Sequence, residues 1–424
     1  MRILVINPNN WYNKGDVSNR LGLVKALKKE FGDDILITIE TLTPKKDSQY
    51  FKRYGVDVVE SIFCTDSVSP YILRIIKVAG NVILFLFSLA IYKIFKVNLT
   101  FKQKILDALT NADLIISSPG GFLQDYNVAS ALIPNLFLIF IAKIVNKPVI
   151  IYAQSVGPFR NRILRHIAKL IINRAEIIIL REKISEKYVK DAGINRPKIF
   201  VTADATFSLN PPSYNREFYR HKLMKFFPSN DAQILIGVTT LGEYFQKRDR
   251  IKYVYGYVKS LSQTIDYLTE KLNAKVIFMP QVIAETERLI TRLILGQVKN
   301  KDRVLVIEED LSPEELMKLI GCMDLFIGTR THSSIYALIM EVPVITIAYE
   351  HKAQGIMSML GLSDWVLDIK RLNERELMLK INKLYSQRFE IKKMIAFKVR
   401  EMRSKSLYTA KIIRKWLLMR GSHV

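Results

Sequence analysis

The stretch from Met323 to Tyr349, MDLFIGTRTHSSIYALIMEVPVITIAY, combines two apolar runs with a helical pattern between them. The first run, LFIG, predicts a buried strand that ends in a tight turn at Gly328, and Pro343 introduces a second buried strand. The segment between them predicts a helix that begins near His332. A strand, a helix and a strand in this order build a parallel α/β sheet. The stretch therefore predicts an α/β protein.

Similar apolar runs alternate with helical segments along both halves of the chain, which predicts parallel sheets with helices on both faces. A length of 424 residues is too great for one ordinary core and favours two domains. The runs lie at 2–8, 34–42, 113–120, 148–155, 176–182 and 198–204 in the first half, and at 233–240, 275–281, 303–310, 325–330 and 342–349 in the second.

We predict four segments from this pattern. An N-terminal Rossmann-like domain covers 1–210, a linker that begins with polar, turn-rich residues covers 211–231, and a C-terminal Rossmann-like domain covers 232–372. A basic helical segment follows at 373–424. Two such domains in tandem are expected to face a cleft lined by the carboxyl ends of both sheets.

The formal net charge of +24 indicates an anionic partner, which is nucleic acid, an acidic membrane surface or a phosphorylated substrate. Zinc-finger, RNP and helix-turn-helix signatures are lacking, so we expect no nucleic acid. Cys64 and Cys322 fit no metal or redox spacing, and the N-terminus lacks the pattern of a secretory signal. These features predict a cytoplasmic location.

An apolar insert at 71–97 interrupts the alternation. Its uncharged core between Lys77 and Lys93 is shorter than the ~20 apolar residues of a membrane span, so a clean span is not expected. Basic and aromatic flanks favour a helix in the bilayer interface, on the inner face of the cell membrane. The alternative is a helix of the first domain or an oligomer contact. The lysines and arginines of 373–424 have two possible roles, which are to form a solvated face or to attract anionic lipid.

The turn Arg330-Thr331-His332 is the strongest candidate for chemistry. It joins a strand to a helix, where backbone N–H groups and the helix dipole favour an anion. Arg330 adds a permanent charge, and His332 exchanges a proton near neutral pH. Thr331 and Ser333 flank His332 and are predicted to bind substrate. A lone histidine is commonly structural, but an arginine two residues earlier favours a functional role.

A second candidate turn runs from Ser117 to Asp125 and contains Gly120-Gly121. Paired glycines allow a ligand to approach the backbone closely, and Gln124 and Asp125 are placed to contact hydroxyls or take a proton. The alternative is a simple tight turn with a helix cap.

Polar residues after other predicted strands are further candidates. Asn13 and Asp16 follow the first strand and are expected on the same edge as the Gly-Gly turn, although Asp16 is also a suitable helix cap. The remaining predicted binding residues are Gln154, Arg181, Thr239, Thr240 and Lys352.

Together these elements resemble the polysaccharide pyruvyl transferase family. The matching residues are Asn13-Lys14-Gly15-Asp16, Gly120-Gly121, the segment from Gln154 to Pro158, Arg181 to Ser185, Asp204 with Phe207, and Arg330-Thr331-His332. The resemblance implies two Rossmann-like domains of the GT-B type and phosphoenolpyruvate as donor, with no cofactor and no metal. It also implies a sugar acceptor on a cell-surface polysaccharide or its lipid-linked precursor, and a pyruvate ketal as product.

The resemblance also implies roles for individual residues. Arg330, the helix N-terminus and Lys352 would hold phosphoenolpyruvate, and His332 would act as general acid or orient the donor. Asp125 or Asp16 would be the base or contact the acceptor. The chain departs from the family pattern where Thr239 and Thr240 replace an arginine, which leaves Arg248 or Arg250 as substitutes.

Two rival functions remain. One is a GT-B glycosyltransferase that uses a nucleotide sugar, with Glu314 or Glu315 as the acidic ribose ligand. The other is a basic membrane-surface scaffold without catalysis. A homo-oligomer is compatible with each of these functions.

Overall fold

The computed structural model describes residues 1–65, 71–95, 102–126, 131–228 and 234–421. The chain forms two compact units. The first unit comprises Met1–Trp11, Asn19–Ser208 and Lys405–Val424, and the second comprises Tyr12–Ser18 and Leu209–Ser404.

The first unit is built on a parallel sheet. Its strands are β1 (Arg2–Asn9), β2 (Leu36–Thr41), β3 (Val56–Glu60), β4 (Leu114–Ser117), β5 (Gly120–Leu123), β6 (Val149–Val156), β7 (Ile177–Leu180) and β8 (Lys198–Val201). The sheet order is β3-β2-β1-β4-β6-β7-β8, and β5 pairs with β6. Strands rich in β-branched residues, such as the Ile-Ile-Ile-Leu of β7, are buried on both faces, as parallel sheets require.

Helices cover the faces of this sheet. They are α1 (Lys14–Phe31), which begins in the second unit, α2 (Pro44–Phe51), α3 (Tyr71–Phe95), α4 (Gln103–Asn111), α5 (Ile133–Ile144), α6 (Arg162–Ile172) and α7 (Lys183–Asp191). Side chains of α3, α4, α5 and α6 share one hydrophobic core with the strands.

The second unit has its own parallel sheet, in the order β11-β10-β9-β12-β13-β14. These strands are β9 (Ile234–Thr239), β10 (Ala274–Phe278), β11 (Val304–Val306), β12 (Leu325–Gly328), β13 (Val344–Ala348) and β14 (Val366–Asp368). The helices are α8 (Arg216–Met224), α9 (Val254–Lys271), α10 (Glu285–Gln297), α11 (Pro313–Ile320), α12 (Thr331–Ile339), α13 (His351–Met359) and α14 (Glu374–Ser386); α15 (Arg388–Met419) runs from this unit into the first.

The α/β class with two parallel sheets is confirmed, and each of the eleven predicted apolar runs overlaps a strand. The short strands β3, β5 and β14 were not predicted because they are brief or lack a continuous apolar run. The expectation of a turn at Gly120-Gly121 was wrong, since both residues lie in β5, which pairs with β6. Residues 96–97 of the insert, 229–231 of the linker, 232–233 of the second predicted domain and 422–424 of the basic segment lie outside the described residues.

Glu40 makes the stability of the first unit depend on pH. It is buried in β2 and accepts hydrogen bonds from Ser61 Oγ at 2.7 Å and from the Asn7 amide at 3.4 Å. Burial raises its pKa from 4.5 to about 7, against the smaller opposing effect of these hydrogen bonds. Stability that is fully present below pH 4.5 is therefore lost as the pH rises through about 7.

We expect Glu40→Gln to flatten this dependence between pH 5 and 8 and to raise the free energy of unfolding at pH 8, by roughly 1–3 kcal/mol. Urea unfolding at several pH values measures both quantities. If the free energy of unfolding changed equally with pH in the variant and the wild type, the assignment to Glu40 would be contradicted.

Candidate functional site

The Arg330 turn lies at the carboxyl end of β12 and starts α12. The Arg330 side chain is largely buried, and its guanidinium group forms an ion pair with Glu287, in the first turn of α10. Burial alone would raise the pKa of Glu287, but the charge of Arg330 lowers it below its ordinary value. Both members of the pair are therefore charged near neutral pH.

A second carboxylate, Glu243, lies 3.3 Å from Nη1 and 3.4 Å from Nη2 of Arg330. Its side chain is 56% exposed, so water weakens this contact and an incoming anion can replace it. Nε of Arg330 is buried and has no hydrogen-bond partner among the described residues. Arg330 therefore retains donor capacity for an anion while Glu287 fixes its position. Sequence reasoning missed both glutamates, since neither belongs to a recognisable motif.

Hydroxyl groups hold the turn in place. Ser333 Oγ lies 2.7 Å from Thr239 Oγ1 and 2.7 Å from the Arg330 carbonyl oxygen. Thr240 Oγ1 lies 2.9 Å from Thr291 Oγ1, while Thr331 Oγ1 is buried with no hydrogen-bond partner among the described residues. Thr239 and Ser333 thus brace the Arg330 backbone, and Thr331 retains an unused donor beside it.

Lys352 lies in the first turn of α13, beyond β13, and β13 pairs with β12. Its Nζ contacts Glu350 at 2.7 Å and lies 5.4 Å from the centre of the Tyr349 ring. Tyr349 meets Tyr244 edge-on at 5.6 Å, and the Arg250 guanidinium stacks 4.4 Å from the Tyr244 ring centre. Arg250, one of two sequence candidates to replace an arginine, thus lies on the same aromatic cluster as Lys352.

Lys247 extends this group of cations. Burial lowers its pKa, and the positive charge of Arg250 lowers it further, whereas Glu350 opposes the shift. A lysine pKa lowered by a neighbouring cation means that the two charges repel, and a bound anion relieves that repulsion. We call Lys247, Arg250 and Lys352 the cationic cluster.

Residues 12–18 belong to the second unit, although they precede most of the first unit in sequence. The Lys14 amide donates to the Gln281 carbonyl at 3.1 Å, and Tyr336 Oη donates to the Lys14 carbonyl at 2.7 Å. The buried Lys14 ammonium forms an ion pair with Asp310 at 2.5 Å. These contacts join the Asn13–Asp16 element to the loops that follow β10 and β11 and to α12.

Gly15 in this element packs directly against His332. A Cβ atom added to Gly15 would lie 2.2 Å from His332 Nδ1 and 2.5 Å from Cγ. Only a glycine therefore allows the N-terminal turn of α1, which contains Asp16, to approach the imidazole this closely. The structure thereby brings the Asn13–Asp16 element beside His332, although more than 300 positions separate them in the sequence.

The other sequence candidates make internal contacts in the first unit. Gln154 Nε2 donates to Ser117 Oγ at 2.7 Å, and Gln124 Nε2 donates to the Gly121 carbonyl at 2.9 Å. Gly120 has φ +150°, and a Cβ atom there would lie 2.2 Å from the Phe122 ring. The close approach that requires this glycine is therefore to a side chain of its own strand.

Arg181 and Asp125 also have structural partners. The buried Arg181 guanidinium contacts Asp204 at 2.7 Å and Ser155 Oγ at 2.8 Å. The Asp125 carboxylate accepts from the backbone amides of Arg160 and Asn161, the two residues that precede α6. These contacts join the carboxyl ends of β6, β7 and β8 and fix the start of α6.

Two further observations concern ligands. Among the described residues, no group of three or more histidine, cysteine or acidic side chains is arranged to hold a metal ion. Glu315, considered as a ribose ligand, forms a capping box with Ser312 at the start of α11.

Comparisons with known proteins place the chain among related sequences. The family model described as polysaccharide pyruvyl transferase matches residues 13–351, which include both Gly15 and Arg330. The amylovoran biosynthesis protein AmsJ of Erwinia amylovora is 25% identical over 414 residues, which is 95% of this chain and 96% of AmsJ.

Two solved structures show the same fold at low sequence identity. Anabaena Alr3699/HepE, in complex with UDP-glucose, aligns with a TM-score of 0.62 and 13% identity over 99% of this chain and 100% of that chain. The UDP-GlcNAc 2-epimerase of Neisseria meningitidis, bound to UDP-GlcNAc, aligns with a TM-score of 0.56 and 13% identity over 99% and 100%. These neighbours are of the GT-B type, which agrees with the expected fold class.

Proposed function

The chain belongs to the polysaccharide pyruvyl transferase family, and we propose that it uses phosphoenolpyruvate as its donor. In this proposal a pyruvyl group passes to two hydroxyls of one sugar in a cell-surface polysaccharide or its lipid-linked precursor. The product is a pyruvate ketal, and inorganic phosphate is released. One observation carries the proposal. Arg330, which lies two residues before His332, is held in position by an ion pair with Glu287.

Charge supports this donor. Phosphoenolpyruvate carries a phosphate and a carboxylate, and Arg330 with the cationic cluster supplies donors and positive charge for both. The N-terminus of α12 adds its backbone amides and dipole. Glu243 would leave Arg330 when the donor binds, whereas the buried Glu287 would stay and keep the guanidinium in position.

The reaction needs a proton on the methylene carbon of phosphoenolpyruvate before a sugar oxygen can form a bond to C2. We assign this transfer to His332, which would protonate the methylene carbon and generate an oxocarbenium-like centre at C2. A sugar hydroxyl adds to C2 and loses its proton, and the C–O bond to phosphate then breaks. A second hydroxyl of the same sugar attacks C2, loses its proton and closes the ketal. We assign the base that removes the hydroxyl protons to Asp16. Asp125, the other candidate, already accepts hydrogen bonds from two backbone amides that precede α6.

A donor-labelling experiment tests this function. Purified protein is incubated with a glycolipid extract and either carbon-labelled phosphoenolpyruvate, UDP-sugars or GDP-sugars. We expect label in the glycolipid, with release of stoichiometric phosphate, from phosphoenolpyruvate alone. Label from a nucleotide sugar alone would overturn the proposal.

The contact between Gly15 and His332 yields a specific prediction. Gly15→Ala places a methyl group on the imidazole, so we expect it to displace His332 and reduce the transfer rate by about 10- to 100-fold. Gly296→Ala is the matched control, because an added Cβ in α10 meets nothing within 4 Å. The control should keep full activity. Equal rates for the two variants would show that His332 does not need its present position.

One observation favours a second function, transfer from a nucleotide sugar. A cavity in the second unit is lined by apolar side chains and by a polar and charged group that includes Thr240, Gln281, Glu287, Arg288, Arg292 and Glu308. Gln281 is buried, and neither its amide nitrogen nor its oxygen has a hydrogen-bond partner among the described residues. A buried amide that can both donate and accept matches the edge of a nucleobase.

Titration of UDP and of phosphoenolpyruvate into the wild type and Gln281→Ala separates the two functions. The nucleotide-sugar function predicts saturable UDP binding that falls at least about tenfold in the variant. The pyruvyl transfer function predicts phosphoenolpyruvate binding that the substitution leaves unchanged.

We further propose that α3 attaches the protein to the inner face of the cell membrane. Residues Ile72–Phe95 have a mean hydropathy of 2.1, and only 17% of the apolar window is buried. A core helix of a soluble protein would be mostly buried, whereas α3 exposes residues such as Ile72, Ile83 and Phe87. By length and composition, α3 is the one helix among the described residues that is suited to cross a membrane. Attachment there would place the enzyme beside lipid-linked acceptors.

Replacing Ile76, Ile83 and Phe87 by serine tests this attachment. These side chains are 60%, 66% and 59% exposed, so the substitutions should leave the fold intact and reduce binding to lipid vesicles by at least about tenfold. Vesicle flotation measures the bound fraction. Undiminished flotation of a folded variant would count against α3 as the attachment site.

A further inference from the structure

Helix α6, with the sequence RILRHIAKLII, has apolar residues on two sides. Ala168 and Ile172 are buried in the core of the first unit. Ile163, Ile167 and Leu170 point away from that core and are 71%, 40% and 55% exposed. Their spacing of four and three residues places them in one line, which we call the α6 stripe. A line of exposed large aliphatic side chains indicates a surface that is covered in use.

Charge identifies what covers the α6 stripe. Residues 160–174 contain five basic side chains and no acidic one: Arg160, Arg162, Arg165, Lys169 and Arg174. A helix with an apolar line and a purely basic flank is typical of binding in the interface of an anionic bilayer. A second copy of this chain, with the same basic flank and a net charge of +24, would repel it.

Helices α6 and α3 both contact α5, and all three contribute to one hydrophobic core. Helix α5 packs against α6, and the Arg174 guanidinium lies 5.9 Å from the ring centre of Phe140 in α5. Lys93, near the end of α3, donates to the Ile144 carbonyl at the end of α5 at 3.4 Å. The three helices thus cover one region of the sheet.

We propose that α6 is a second membrane-contact element, in which the α6 stripe enters the interface and the basic flank contacts anionic headgroups. This inference rests on the proposed membrane attachment through α3 and extends it. Two contact elements fix how the first unit is oriented on the bilayer, whereas one helix alone leaves rotation about its axis open. Asp125, whose carboxylate holds the backbone amides that precede α6, would set the position of this element.

Vesicle flotation of the full chain tests the inference with two lipid compositions, pure phosphatidylcholine and an equal mixture with phosphatidylglycerol. Replacing all three residues of the α6 stripe by serine should reduce binding to the mixed vesicles at least about tenfold. Replacing Arg162, Arg165 and Lys169 by glutamine should reduce it by about fivefold for each charge, and only on the anionic vesicles. The control is Leu289→Ser with Leu293→Ser, which removes an exposed apolar pair of α10 in the second unit.

The outcomes separate this inference from the proposals on which it rests. Loss of binding in the α3 variant with unchanged binding in the α6 variants would overturn the role of α6 alone. No binding by the wild type would overturn both membrane proposals. Reduced binding in the α10 control would show a nonspecific effect and contradict the assignment to α6. A dimer that the serine variant converts to monomer, with vesicle binding unchanged, would assign the α6 stripe to self-association instead. Phosphoenolpyruvate binding should be equal in all of these variants, so a failure of the donor proposal would be seen separately.

Discussion

Replacing Arg330 by glutamine should lower the rate of pyruvyl transfer by about 10²–10³-fold, because it removes the buried cation that, in the proposed mechanism, stabilises the charge that develops on phosphate. The same change leaves Glu287 without its partner, and breaking a buried ion pair costs about 3–5 kcal/mol of stability. We therefore expect both the rate and the melting temperature to fall. Rates are measured by phosphate release and stability by thermal unfolding.

A second substitution separates the loss of activity from the loss of stability. Glu287→Gln combined with Arg330→Gln removes the unpaired carboxylate, so the double variant should recover most of the lost stability and none of the activity. Arg375→Ala is a control in the second unit, since this arginine of α14 is exposed and does not line the cavity beside Glu287. A double variant that regained activity together with stability would show that Arg330 acts only as a structural residue.

Replacing His332 by asparagine should reduce the transfer rate by about 10²–10⁴-fold, because a carboxamide cannot deliver a proton to carbon. Asparagine is smaller than histidine and should fit beside Gly15, so the fold should be retained. The informative measurement is the incorporation of deuterium from solvent into the methyl group of the ketal, or into unreacted phosphoenolpyruvate.

The two roles considered for His332 predict different results. If His332 is the general acid, deuterium transfer falls in parallel with product formation. If it only orients the donor, the affinity for phosphoenolpyruvate falls and proton transfer to bound donor persists. His221→Asn, in the exposed part of α8, is the matched control and should leave both quantities unchanged.

Much of the fold could be predicted from the sequence, because parallel strands that are buried on both faces consist of continuous apolar runs. The run that forms β7, for example, is entirely aliphatic. The strand β5 could not be predicted in this way, because its Gly120 and Gly121 are the residues that typically mark a turn. Its pairing with β6 depends on tertiary contacts that no local pattern records.

The candidate site could be predicted only in part, for a similar reason. Arg330 and Lys352 follow adjacent strands, so parallel topology alone places them on one edge. The ion-pair partner of Arg330 could not be predicted from the sequence. Glu287 lies at the start of a helix more than 40 residues before Arg330, and no motif surrounds it. The contact of Gly15 with His332 spans more than 300 residues and was not predicted, because the sequence placed the Asn13–Asp16 element beside the Gly-Gly turn instead.

Calorimetric titration of phosphoenolpyruvate into the purified protein tests most directly whether the Arg330 turn holds this donor. We expect saturable binding by the wild type, binding weakened at least about tenfold in Arg330→Gln combined with Glu287→Gln, and unchanged binding in Arg375→Ala. Equal affinity in the wild type and the double variant, or binding of UDP-sugars with none of phosphoenolpyruvate, would contradict the account.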